Sequence, residues 1–281
     1  MTVRADQVLM STDALAASLG DPSLRILEVD EDTTAYGRGH IPGALGVHWQ
    51  HDLQDPIRRE FIGAEAFAAL MDRLGVGNDT PVVLYGGNNN WFAAYAYWYL
   101  KYYGHQPVKL LDGGRKSWEL EGRPLTEEAP QPSPTTGYRV KGPVEEIRAL
   151  RGQVAEVLDD PGVGLVDVRS PEEYRGEKLA PDHLPQEAAQ RPGHIPGAAN
   201  VPWAKAVNPE TGAFLPTEQL RSLYEGHGLT PDLAVVAYCR IGERSAHTWF
   251  VLHELLGYPR VRNYDGSWTE WGSLVGVPIE R

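Results

Sequence analysis

The chain has 281 residues, 42% of them hydrophobic, with 26 basic against 38 acidic side chains and a formal net charge of −12. That balance argues against nucleic acid as the main partner, because such binding needs a basic face. No apolar run is long enough to cross a bilayer, the N-terminus lacks a secretion signal, and one cysteine excludes an intrachain disulfide or a multi-cysteine metal site, so the expectation is a cytoplasmic chain of about two domains with no membrane partner.

In chain order, Met10 to Gly20 reads as a short helix with Ser11 as its N-cap, and Arg25 to Asp30 as a strand. Gly39-His40-Ile41-Pro42-Gly43-Ala44 is a turn with Pro and Gly at its corners. Gly63 to Leu74 is amphipathic and so helical, while Pro81 to Tyr85 is a buried type of strand. Trp91 to Tyr102 carries aromatics on every face, as a helix buried against other elements does. Val108 to Leu111 is a strand ahead of Asp112-Gly113-Gly114, and Trp118 follows on a short helix. From Thr126 to Pro143, prolines at 130, 132 and 134 make an extended linker.

After the linker the same signals return. His40 and His194 sit in matching turns at an offset of 194 − 40 = 154, as do Trp49 and Trp203. Tyr85 matches Tyr238, Asp112-Gly113 matches Asp265-Gly266 and Trp118 matches Trp271, each at 153. A colinear series with so long a period indicates duplication of a whole domain. Alternating short strands and helices in each half predict an α/β fold with a mainly parallel sheet per half. The expected boundaries are residues 1–126, a linker at 127–143, and residues 144–281. Ligands of such a sheet sit beyond the carboxyl ends of its strands.

One such end holds the only cysteine. The strand Ala234 to Tyr238 runs into Cys239-Arg240-Ile241-Gly242-Glu243-Arg244, and a helix is expected from Ser245 to Leu256, closed by Gly257. Loop amides, a helix start and two flanking arginines would all favour a thiolate at Cys239. The other reading is a buried structural cysteine, since free Cys is among the most buried residue types. At offset 153 the partner of Cys239 is Gly86, in a loop Gly86-Gly87-Asn88-Asn89-Asn90-Trp91 that has neither nucleophile nor arginine. The first half keeps the frame without the chemistry, and its expected part is structural, lending its aromatic helix as a wall of the cleft. The halves also differ in spacing: Tyr36 to His40 spans four positions and Tyr174 to His194 spans twenty. The extra stretch, about Lys178 to Arg191 with Pro181, His183 and Pro185, reads either as a substrate-shaping loop or as domain-interface filler.

These residues together resemble the rhodanese family, specifically its two-domain thiosulfate sulfurtransferases. The likeness covers nearly the whole chain: tandem halves with an inactive first copy, the Gly-His-Ile-Pro-Gly-Ala turns, the six-residue Cys239–Arg244 loop and the closing Asn263-Tyr264-Asp265-Gly266-Ser267-Trp268. It implies two tandem rhodanese-like domains, with Cys239 as the residue that becomes a persulfide. Thiosulfate would be the donor and cyanide or a thiol the acceptor, a reductant protein being a further candidate partner. No metal or organic cofactor is implied. Arg240, Ile241, Gly242, Glu243 and Arg244 would form the donor-binding loop.

Cysteine phosphatases and arsenate reductases are the nearest competing chemistry. They place five residues between Cys and Arg, against the four between Cys239 and Arg244. A non-turnover sulfur carrier is the non-enzymatic alternative. Family members using 3-mercaptopyruvate typically have Gly-Ser-Gly after the cysteine, and Arg240 in the first of those places fits the thiosulfate type. The vertebrate enzymes' lysine is Ile241 here, and their arginine after the Val-Asp-x-Arg strand aligns with Glu173, leaving Arg175 and Arg191 as candidate replacements. Glu243 is expected to face solvent or pair with an arginine, because an inward carboxylate raises the thiol pKa. His40 and His194 are expected to be structural. His247 is read as a surface or interface residue, with assistance to proton transfer as the alternative. Asp167 and Arg169 are expected to tie the strand end to the loop, and Trp268 either lines the pocket or packs.

Overall fold

A computed structural model describes residues 5–131, 134–180 and 188–281; Pro132, Pro181, His183 and Pro185, named above, lie outside them. Each half forms one five-stranded parallel sheet flanked by helices. In the first half, β1 (Leu9–Met10), β2 (Arg25–Glu28), β3 (Ala44–Gly46), β4 (Val82–Tyr85) and β5 (Val108–Leu111) lie in the order β1-β5-β4-β2-β3. In the second, β6 (Arg148–Ala149), β7 (Val163–Asp167), β8 (Ala199–Asn200), β9 (Ala234–Tyr238) and β10 (Val261–Tyr264) lie in the order β6-β10-β9-β7-β8. Replacing each strand by its duplicate turns one order into the other, so the repeat in the sequence is a repeat of topology.

The central strands are short, β-branched and aliphatic because helices cover both faces of a parallel sheet. All four residues of β4 are buried, and β9 is buried from Val235 to Tyr238. Ser11 caps the helix Thr12–Ala17 by accepting from the amide of Ala14 at 3.1 Å. The aromatic helix lies within Gly87–Tyr102, regular only after the left-handed Asn88, Asn89 and Asn90, with Trp98, Tyr97 and Tyr99 fully buried. The helix after the cysteine loop departs from the expected single α-helix: it is α-helical over Glu243–Trp249 and widens to a π-helix over Phe250–Leu255, ending before Gly257 at φ +71°. Among the described residues no helix is long and apolar enough to cross a membrane.

One device appears in both halves. The tyrosine ending the central strand turns its hydroxyl to the His-Ile-Pro-Gly turn, accepting from the Ile41 amide at 2.9 Å (Tyr85) and from the Ile195 amide at 3.0 Å (Tyr238). The turn histidine stacks on the preceding tyrosine, His40 on Tyr36 at 3.9 Å and His194 on Tyr174 at 3.6 Å between ring centres. Their Nδ1 atoms lie 3.0 Å and 2.9 Å from the carbonyls of the same two tyrosines. Both histidines are therefore structural. Asp167 and Arg169 form a completely buried ion pair, and Arg169 donates to the Gly193 carbonyl at 2.7 Å. They tie the end of β7 to the turn at Gly193 rather than directly to the cysteine loop.

The chain divides into two compact units. One contains residues 4–144 together with Val207–Phe214, and the other contains Glu145–Ala206 with Leu215–Arg281. Residues of the proline-rich stretch are extended and held within the first unit, where Tyr138 and Arg139 donate their amides to Asp72 and Asn78. Val207–Phe214 is a bridge-closed turn that packs there too: Phe214 donates its amide to Asp112 at 2.9 Å, and Ser117 donates to the Thr211 carbonyl at 2.9 Å.

Gly86, the counterpart of Cys239, has lost room for a side chain. A Cβ there would meet the Val29 carbonyl oxygen at 2.2 Å. Gly86→Cys is therefore expected to destabilise the protein by about 1–3 kcal/mol through overpacking. Urea unfolding reads this, and an unchanged midpoint would show that the two strand ends part without cost.

Candidate active site

β9 lies between β10 and β7, and Cys239 is the first residue beyond its carboxyl end. The loop that follows is held by the segment after β10. The Cys239 amide donates to Ser267 Oγ at 3.0 Å, and Ser267 Oγ donates to the Tyr264 carbonyl at 2.6 Å. The carbonyls of Cys239 and Arg240 accept from the Trp268 and Thr269 amides at 3.1 and 3.0 Å. With those carbonyls turned outward, loop amides turn inward, and Gly242 donates its N–H to Cys239 Sγ at 3.2 Å. Gly242 has φ +96°, and a Cβ on it would lie 2.6 Å from Asp265 Cα, so only glycine fits. Ser267 itself sits at φ +51°, a left-handed conformation uncommon for a non-glycine residue.

Cys239 is fully buried, as a structural cysteine would be, yet its surroundings are polar. Besides the Gly242 amide, Ser245 Oγ lies 3.5 Å and Glu243 Oε2 3.2 Å from Sγ. Ser245 gives its proton to Asn263 Oδ1 at 2.6 Å, and Asn263 in turn donates to the Gly242 carbonyl at 2.9 Å. The thiol proton goes to Glu243.

Glu243 meets the second of the two alternatives expected from sequence. It pairs with an arginine, with Arg240 Nη2 3.3 Å from Oε1, but it does not face solvent: it is completely buried and points at the thiol. Its Oε2 also accepts the Ile241 amide at 3.1 Å. Burial pushes the Cys239 thiol above its ordinary value and the Glu243 charge adds to that, while Arg244 and Ser245 pull down without overcoming them. The direction is opposite to the one that two neighbouring arginines would predict.

The arginines are spoken for. Arg244 makes a two-pronged pair with Glu173, Nη1 to Oε2 at 2.9 Å and Nη2 to Oε1 at 3.1 Å, inside the protein. Glu173 is capped onto its own short helix, Pro171–Tyr174, where its side chain accepts the Ser170 amide at 3.1 Å. Burial raises the Glu173 carboxyl, but Arg244 more than compensates and its net pKa lies below the ordinary value. Arg175 is exposed and engaged with Glu177 at 2.7 Å. Arg191 is also exposed; its guanidinium donates to the Gln190 carbonyl at 3.0 Å and its own carbonyl accepts from Trp268 Nε1 at 3.0 Å. The structure thus brings Arg240, Ile241, Gly242, Glu243 and Arg244 around Cys239. The recorded contacts of Arg175 and Arg191 lie elsewhere.

His247 departs from the surface half of its expectation. It is fully buried instead of superficial, packs edge-on to Trp203 at 5.2 Å, and burial lowers its pKa to about 3. Trp268 packs, with the Arg169 guanidinium 4.6 Å from its ring centre. Sequence reading missed Ser245, Asn263, Ser267 and the partnership of Glu173 with Arg244. Among the described residues no group of three or more His, Cys, Asp or Glu is arranged to hold a metal ion.

The rhodanese-like domain matches this chain twice, over residues 11–121 and 150–274. The chain belongs to the rhodanese family. A "Putative thiosulfate sulfurtransferase" of Saccharopolyspora erythraea is 58% identical over 275 residues, 98% of this chain and 96% of the relative. The "Sulfur carrier protein TtuD" of Thermus thermophilus is 58% identical over 279 residues, 98% and 97%. Among solved structures, SseA of Escherichia coli, a 3-mercaptopyruvate sulfotransferase, superposes with a TM-score of 0.79 at 27% identity, covering 92% of this chain and 98% of that one. The rhodanese loop of this chain differs from a bare amide cradle in carrying its own carboxylate.

The Glu173–Arg244 pair has a pH signature. The folded carboxyl titrates below its ordinary 4.5, so its contribution is complete above that pH and is lost as pH falls through the folded value. Glu173→Gln leaves Arg244 buried without its counter-charge and is expected to cost about 3–5 kcal/mol at neutral pH. The gap between wild type and variant, read by urea unfolding, should narrow only below pH 4.5. A gap constant into strong acid would contradict the pairing.

Proposed function

We propose that this rhodanese is a sulfurtransferase that accepts the outer sulfur of thiosulfate on Cys239 and passes it to a thiophilic acceptor, cyanide or a thiol. The observation that carries this reading is the placement of Sγ at the centre of a loop whose Gly242 amide points at it from 3.2 Å. Deprotonated Sγ attacks the outer sulfur, a sulfur–sulfur bond forms, and the sulfur–sulfur bond of thiosulfate breaks with its electron pair leaving on sulfite. Loop dipoles stabilise the negative charge that passes onto the transferred sulfur during the exchange. A second nucleophile takes that sulfur and restores the cysteine, a two-step exchange through one covalent intermediate. No metal or organic cofactor enters the cycle.

Thiosulfate is favoured by Arg240 immediately after the cysteine and by the printed name of the Saccharopolyspora relative. A second reading, delivery of the sulfur to a partner protein without small-molecule turnover, is supported by the equal likeness to the Thermus sulfur carrier. The likeness to SseA keeps 3-mercaptopyruvate as the alternative donor. The four-residue spacing between Cys239 and Arg244 speaks against the phosphatase chemistry.

Intact mass after incubation with thiosulfate should show one added sulfur, placed on Cys239 by peptide mapping, with sulfite released in equal amount. Cys239→Ser should abolish both. Sulfur taken only from mercaptopyruvate would replace the donor, discharge only to a protein would make the chain a carrier, and labelling that survives the substitution would end the proposal.

A further inference from the structure

Sulfur transfer at Cys239 needs its thiol to lose a proton, and the loop offers one group placed to take it. The Sγ proton points to Glu243 Oε2 at 3.2 Å, within the reach of direct proton transfer. Ser245, whose hydroxyl donates to Asn263 Oδ1 at 2.6 Å, is not such a group, because a neutral hydroxyl is too weakly basic to take a proton from a thiol. The charged groups around the pair come from every neighbouring element. Arg240 lies 3.3 Å from Glu243 Oε1, and Arg244 lies 3.9 Å from the same oxygen while bound to Glu173 of the Pro171–Tyr174 helix. Asp265, at the end of β10, is paired with Arg148 of β6 at 3.1 Å. Two cations thus stand against Oε1 while Oε2 faces the thiol, the geometry that proton acceptance at Oε2 requires.

We propose that Glu243 is the catalytic base of the sulfur-accepting step and carries one proton across it, a role that presupposes the sulfur-transfer reading of Cys239. Glu243 takes the proton from Sγ as Sγ bonds to the outer sulfur of thiosulfate, and sulfite departs with the electron pair of the broken sulfur–sulfur bond. The carboxylic acid then returns the proton to the terminal sulfur, leaving Cys239–S–SH and an ionised Glu243. Thiol and thiosulfate have become persulfide and sulfite, with no proton taken from bulk water and no other reactant. Glu243 Oε2 also holds the Ile241 amide at 3.1 Å. Protonation weakens that hydrogen bond, so the same event frees a loop amide for the negative sulfur arriving beside it.

Two effects of this carboxylate have opposite signs, and that makes the proposal testable. As a fixed charge it opposes the thiolate, so removing it would speed attack; as a base it enables attack, so removing it slows the step. In single-turnover persulfide formation at neutral pH, Glu243→Gln is expected to be about 10²-fold slower than wild type. The rate should recover as pH rises and the thiol ionises to solvent. A rate equal to or faster than wild type overturns the proposal. Alkylation of Cys239 by iodoacetamide, measured on the same two proteins, should show the same loss and the same recovery in alkali. This arm stands even if wild type gains no sulfur from thiosulfate, an outcome that would sink the sulfur-transfer reading alone. Should the variant not fold, wild-type persulfide formation in deuterium oxide decides: slowing is expected of a proton moving in the rate-limiting event, and equal rates in the two solvents overturn the assignment.

Discussion

A guanidinium removed from water needs a carboxylate beside it, and that requirement shapes everything around Cys239. Arg244 is held by Glu173, Arg240 by Glu243, Arg169 by Asp167 and Arg148 by Asp265, all at the carboxyl ends of one parallel sheet. Each pair fixes a piece of backbone: the helix after the loop, the loop itself, the turn at Gly193 and the segment after β10. The pairs cancel in formal charge, and of the groups around Sγ it is Arg244, then Ser245, that draws the thiol pKa down. A chain with a net charge of −12 thus surrounds its cysteine with arginines that are each matched by a carboxylate.

The duplicated half shows what the frame does without that loop. Its tyrosine, its stacked histidine and its strand order are the same, but its amides are satisfied internally. Asp30 accepts the Gly87 amide at 2.7 Å, Asn90 accepts the Gly86 amide at 3.0 Å, and Asn88, Asn89 and Asn90 all take left-handed backbone angles. Asparagine tolerates that conformation better than most residues. Three in a row, beside a glycine pressed against Val29, describe a loop closed upon itself. Glu243 satisfies an amide in the active copy in a comparable way, with the difference that a carboxylate next to a thiol can exchange a proton with it.

Most of the architecture was legible in the residues because the duplication printed it twice. The strand-ending tyrosines and the His-Ile-Pro-Gly turns recur at nearly constant offset, and together they mark a contact that fixes a strand end in each half. The cysteine loop was legible for a similar reason, since a strand, a glycine-bearing turn and a helix start leave few places for the side chain. Partnerships across the fold were not. Glu173 is 71 positions from Arg244, and nothing in local spacing distinguishes it from Glu172, whose side chain stays outside. Arg175 and Arg191 were singled out by nearness along the chain, and the fold engages them with Glu177 and Gln190. For Glu243 the sequence left solvent and an arginine partner both open, and the fold takes the arginine, inside the protein. For His247 it left surface and interface open, and burial removes the surface.

The turn at Val207–Phe214 separates sequence ancestry from folding autonomy. By descent it belongs to the second copy, yet it finishes hydrogen bonds owed by Asp112 and Ser117 of the first. A cut anywhere between the copies would leave one fragment with unanswered polar groups and the other with a stray excursion. The boundary between the two compact units is therefore not the boundary between the two copies.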